Sequence, residues 1–78
     1  MIVDVITPDK TIFSGDLESV IVPGIDGFFE ILNHHAPLVS ILVKGTLKLT
    51  NSKKETQELS INGGVIEVNN NTVKILAE

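Results

Sequence analysis

His34 and His35 are the only histidines in the chain. Histidine is the side chain best suited to proton transfer near neutrality or to metal binding. The two are adjacent, and in an extended loop neighbouring side chains point to opposite sides, so the pair is badly placed to share one ion. There is no cysteine, and no acidic residue close by on the same side completes a ligand set. The plainer expectation is a histidine whose ring hydrogen-bonds backbone and fixes its loop. Ser14, Ser19, Ser40, Ser52 and Ser60 sit in no nucleophile signature such as Gly-x-Ser-x-Gly. Gly63-Gly64 is followed by no Lys-Ser/Thr and opens no helix, so a hairpin turn is expected there and not a phosphate loop. No catalytic residue, metal site or cofactor is expected.

Composition narrows the function classes further. The chain has 78 residues, which argues for one small domain. It is 42% hydrophobic with a mean hydropathy of +0.29, high for a domain of this size. That surplus of apolar side chains suits a chain that covers part of its surface with a partner. The net charge is −4, the six basic residues are all lysine, and they form no block. Without the guanidinium fork, nucleic-acid and phosphate recognition are disfavoured, as is adhesion to anionic lipid. The N-terminus lacks the basic start and long apolar run of a signal peptide. No apolar run approaches the roughly 20 residues of a membrane span.

The elements that must position these residues read as short strands divided by turn signals. Ile2 to Ile6 is a β-branched run closed by Thr7-Pro8-Asp9-Lys10. Thr11 to Phe13 resumes extended structure, and Ser14-Gly15-Asp16 reads as a bulge or bend before a strand from Leu17 to Val22. Pro23 to Gly27 reads as a turn, Phe28 to Leu32 as a strand, and Asn33 to Pro37 as a loop. Leu38 to Val43 is nearly all apolar, as in a strand buried on both faces. The alternative is that one of its faces lies open to a partner.

Lys44-Gly45 reads as a bend. Thr46 to Thr50 alternates, with Leu47 and Leu49 inward. Asn51 to Lys54 reads as a hairpin loop, Glu58 to Ile61 as a strand, and Asn62-Gly63-Gly64 as a turn into Val65 to Val68. Asn69-Asn70-Asn71 is a tight turn before Val73 to Ala77, because Asn tolerates left-handed geometry. No segment has a 3.6-residue apolar period. About seven or eight short strands at this spacing predict an all-β fold, a small antiparallel β-sandwich. The expected core is Val3, Val5, Phe13, Val20, Val22, Ile31, Leu47, Leu49, Leu59, Ile61, Ile66, Val68, Val73 and Ile75. Val65 and Leu76 fall out of phase with that set and are expected to point outward.

Several of these pieces recur in one family in the same order. Phe13-Ser14-Gly15, Val22-Pro23-Gly24, the Gly27 to Leu32 segment and His35-Ala36-Pro37-Leu38 follow one another. Gly45-x-Leu47-x-Leu49, then Gly63-Gly64-x-x-Glu67-Val68, then Asn71-x-Val73-x-Ile75-Leu76-Ala77-Glu78 complete the set. Each piece is common, but their joint order and spacing resembles the N-terminal β-sandwich domain of the epsilon subunit of F-type ATP synthase. Glu30 stands where many relatives have glycine. The longer form of the family continues into a helical hairpin about where this chain stops, so a short form is expected, a single domain over 1–78 with no C-terminal helical domain. It would lack that hairpin's inhibition of hydrolysis and its nucleotide binding.

The resemblance implies a non-catalytic rotor part in the central stalk, peripheral on the cytoplasmic face of a bacterial inner membrane. One face would grip the gamma subunit, with Leu38, Ile41, Leu42, Val65 and Leu76 as candidates. One end would meet the loops of the c-ring, with Ile25, Asp26 and Phe28 from one turn, and Asn33, His34 and His35 from the next loop, as candidates. No nucleic acid, nucleotide or inserted lipid is implied as a partner. A biotinyl or lipoyl carrier is the rival small acidic sandwich. It needs a lysine at a hairpin tip in a Met-Lys-Met or Asp-Lys-Ala signature, whereas Lys53-Lys54 reads Ser-Lys-Lys-Glu and Met1 is the only methionine.

Overall fold

The computed structural model describes all of residues 1–78, and every regular element is a strand. These are β1 (Ile2–Ile6), β2 (Thr11–Asp16), β3 (Ser19–Gly24), β4 (Gly27–Leu32), β5 (Leu38–Thr50), β6 (Thr56–Asn69) and β7 (Thr72–Ala77). They hydrogen-bond as one continuous ladder in the order β2-β1-β7-β6-β5-β3-β4. All pairings are antiparallel except β1 with β7, which run parallel from Ile2↔Thr72 to Ile6↔Leu76.

That single ladder folds over into two layers because its central hairpin is too long to stay straight. Thirteen residues of β5 would reach about 43 Å at roughly 3.3 Å per residue, yet the longest dimension of the molecule is 27 Å. The first layer holds β2, β1, β7 and the halves of β6 and β5 that pair Gly63 to Val68 with Val43 to Leu38. The second holds the halves that pair Gly45 to Thr50 with Ile61 to Thr56, followed by β3 and β4. Between them lies one core of sixteen buried residues. Twelve of the fourteen expected core residues belong to it, and Phe13 and Leu59 pack against it half-buried. Met1, Leu17, Leu42 and Ala77 complete it.

The corner explains where the sequence signals misplace strand ends. Lys44-Gly45 and Asn62-Gly63-Gly64 do not break the chain into four short strands. Pairing continues across them, Val43↔Gly63 and then Gly45↔Ile61. The glycines let two backbones crowd at this corner. A Cβ on Gly64 would come within 2.2 Å of Leu76 O, and one on Gly45 within 2.8 Å of Pro23 Cβ. The inward phase shifts there from Leu42 to Leu47 on β5 and from Ile61 to Ile66 on β6. The pairing of β3 with β5 also slips, between Ile21 and Gly24.

Three smaller corrections follow from hydrogen bonding. Ser14-Gly15-Asp16 is not a bend but the end of β2, paired with Asp4, Val3 and Ile2, and the irregularity falls at Val5/Ile6. Leu17 and Glu18 are a crossover, so β3 starts at Ser19 and includes Pro23-Gly24. The turn after it is only Ile25-Asp26, between paired Gly24 and Gly27. Asn70 and Asn71 form the expected turn, with φ of 51° and 56°, the left-handed pair that a two-residue hairpin loop demands.

Candidate interaction faces

The two layers present different faces to solvent. On the second layer the outward rungs are mainly polar, with Phe28 and Leu32 exposed along β4 at its edge. Glu30, Ile21, Lys48 and Glu58 lie side by side across four strands, and Leu32, Ser19, Thr50 and Thr56 form the next rung. Ser19 Oγ donates to Glu30 Oε2 at 2.6 Å, so the Glu30 carboxylate is tied down on this face. Lys54 Nζ donates to Glu18 Oε2 at 2.6 Å beside it.

The first layer grades from apolar to charged along its strands. Ile41, Val65, Leu76 and Ile6 form one rung across β5, β6, β7 and β1. Ile41 is 57% and Leu76 44% exposed, and Val43 and Val39 flank Ile41 on the same side of β5. The next rung is Val39, Glu67, Lys74, Asp4 and Ser14, in which Ser14 Oγ donates to Asp4 Oδ1 at 2.6 Å. Opposite charges sit at neighbouring positions on this rung, Glu67 beside Lys74 and Lys74 beside Asp4. In the row of apolar side chains beside it Ile41 and Leu76 lie open, and Val65 and Ile6 are half-buried.

Of the gamma-face candidates, Ile41, Val65 and Leu76 thus come together in one rung. Leu38 is half-buried against the core. Leu42 turns the other way, into the core at 3% exposure, and is corrected from a surface candidate to a packing residue. The run Leu38 to Val43 is buried on one face only, because the even positions point inward and Val39, Ile41 and Val43 outward. Val39, at 73% the most exposed large apolar side chain, was missed. Its signal was the odd-numbered apolar series 39, 41, 43, hidden by leucines at 38 and 42 in the opposite phase.

The ring-facing candidates separate into two groups. Ile25, Asp26 and Phe28 surround the β3–β4 turn, where Ile25 is 60% and Phe28 68% exposed. Ile25 N–H donates to Ile41 O at 3.1 Å, so this turn adjoins the apolar rung. Asn33, His34 and His35 lie at the other end of β4, six residues on, about 17–20 Å away along a strand. There the loop is fastened to its surroundings. Asn33 Oδ1 accepts from the Met1 ammonium at 2.6 Å, and His34, at φ 64°, donates its N–H to Asn71 Oδ1 at 2.7 Å. His35 N–H donates to Leu32 O, and its ring Nδ1 lies 2.7 Å from Ala36 O and donates to it. The backbone-bonded histidine expected from sequence is His35. No three of the His, Asp and Glu side chains come together as a metal-binding group.

The family model of the delta/epsilon chain of ATP synthase, β-sandwich domain, matches residues 1–78. An ATP synthase epsilon chain from Leptospira borgpetersenii is 46% identical over 76 residues, covering 97% of this chain and 59% of that protein. One from Chlorobium limicola is 44% identical over 75 residues, covering 96% of this chain and 85% of that protein. The chain therefore spans about three fifths of the Leptospira relative and most of the Chlorobium one. Among solved structures, a chain of the Euglena gracilis mitochondrial ATP synthase superposes with a TM-score of 0.93 at 22% identity, over 99% of this chain and 49% of that one. A chain in the central stalk and c-ring of the Tetrahymena thermophila enzyme gives 0.83, also at 22% identity, over 99% and 62%. At that identity the superpositions speak for the fold, and the family model and the bacterial relatives for descent: the chain belongs to the delta/epsilon chain family of ATP synthase, as its β-sandwich domain.

Proposed function

We propose that the chain is a non-catalytic rotor subunit in the central stalk of an F-type ATP synthase. It ties the gamma subunit to the c-ring and helps couple ion translocation to ATP synthesis. The observation that carries this reading is the unequal pair of outer faces, one mainly polar and the other bearing Ile41, Val65 and Leu76 in one rung. A sandwich that leaves such a rung open is suited to a permanent, apolar subunit contact. The relatives named ATP synthase epsilon chain support the assignment, and the similarly folded Tetrahymena chain comes from a central stalk assembled with a c-ring.

In this reading gamma covers Ile41, Val65 and Leu76, with Val39 and Val43 at the margin. The c-ring loops meet the β3–β4 turn at Ile25, Asp26 and Phe28, which present two apolar side chains and a carboxylate beside the gamma face. Asn33, His34 and His35 lie at the far end of β4 and belong to neither contact as a group. The chain holds no helix long and apolar enough to cross a membrane. Its place at the cytoplasmic face of a bacterial membrane is peripheral, through these partners.

Calorimetry of the chain with the gamma subunit of its own organism tests the reading. Tight one-to-one binding is expected. Ile41→Asp or Leu76→Asp should weaken it by about 2 kcal/mol or more each, as for a central buried contact. Absence of binding to folded gamma would sink the proposal. Binding indifferent to both changes would move the contact to another face.

A further inference from the structure

We propose that an extended segment of the gamma subunit pairs with the Leu38–Ile41 edge of β5 as an added strand. The inference rests on the rotor reading above and gives that contact its geometry. β5 pairs with β6 along its whole first half, but β3 leaves its other side after Gly24↔Leu42. Residues 38 to 41 are therefore a free edge of the first layer. Ile41 O accepts from Ile25 N–H at 3.1 Å and so points away from β6. Backbone direction alternates along an antiparallel strand. The N–H and C=O of Val39 and the N–H of Ile41 consequently point the same way, toward the open side, where no strand lies.

Val39 and Ile41 are also the outward side chains of the apolar face. A partner that covers that face reaches this edge and shuts water out from those three backbone groups. Sealed without partners they would cost much of what the apolar contact gains. A covering surface that brings its own N–H and C=O in register avoids the loss, and an extended strand does so. Pro37, which lacks an N–H, bounds the strip and limits the pairing to a few bonds.

The test is amide exchange, residue by residue, in the chain alone and in its complex with gamma. The Val39 and Ile41 amides should slow by roughly 100-fold or more in the complex, as for newly paired strand amides. Val39→Pro removes the outward N–H while leaving the β5–β6 ladder intact, since edge positions tolerate proline. Its affinity for gamma should fall about tenfold further than that of Val39→Ala. Unchanged exchange at Val39 in an intact complex overturns the added strand while sparing the rotor reading, and so does equal binding by the two variants. If Val39→Pro fails to fold, exchange in the unmodified chain decides. If the unmodified chain does not bind gamma, both readings fall.

Discussion

Ile41 and Leu42 are neighbours with opposite tasks, and substitution should separate them. Leu42 is 3% exposed, so Leu42→Ala should cost about 3 kcal/mol of folding free energy in a urea titration. Ile41→Ala, on an open face, should stay within about 0.5 kcal/mol while still weakening partner binding. Gly64 sits at φ 150° with Leu76 O 2.2 Å from where a Cβ would be. Backbone cannot swing aside as a side chain can. Gly64→Ala should therefore destabilise by about 3 kcal/mol or more, read by the same titration. Phase identified Val65 and Leu76 as outward because each strand's core set was regular. It could not identify Leu42, because Leu38 to Val43 is apolar on both parities and only the corner tells which half turns in.

Local turn chemistry was the most legible part of the elements. Asn70-Asn71 was readable because few residues accept left-handed geometry, and the structure adds a second use for one of them. Asn71 Oδ1 holds His34 N–H at 2.7 Å, whereas Asn70 accepts only at its backbone O, from Thr72 Oγ1 at 3.4 Å. Asn70→Ala should cost about 1 kcal/mol for its positive φ. Asn71→Ala should cost about 1 kcal/mol more for the lost bond, a difference that thermal unfolding of the two variants can measure. The long strands were not legible, for a physical reason. Gly45, Gly63 and Gly64 carry the composition of turns, but here they serve close backbone approach at a fold in an unbroken ladder. Local sequence reports that the chain changes direction. Whether hydrogen bonding survives the change depends on the opposite strand, which at Gly63 lies twenty residues away at Val43. The same non-locality split the ring-facing candidates, which are close in sequence but lie at opposite ends of β4.

At the scale of the molecule, the unequal faces predict behaviour in isolation. The chain without its partner should self-associate reversibly as concentration rises, through the rung of Ile41, Val65 and Leu76. Ile41→Lys or Leu76→Lys should return it to a monomer by sedimentation, with little change in unfolding midpoint. Substituting Lys48→Ala on the polar face should leave the association as it was. The parallel pairing of β1 with β7 has a mechanical consequence. Because the two strands point the same way, the start of β1 and the end of β7 leave the sheet in opposite directions. A pull between them slides one strand along the other and loads every bond from Ile2↔Thr72 to Ile6↔Leu76 together. An antiparallel closure would have let the strands peel apart one bond at a time. Tension applied between the chain's two ends thus meets a clasp in shear, the stronger of the two ways to join strands.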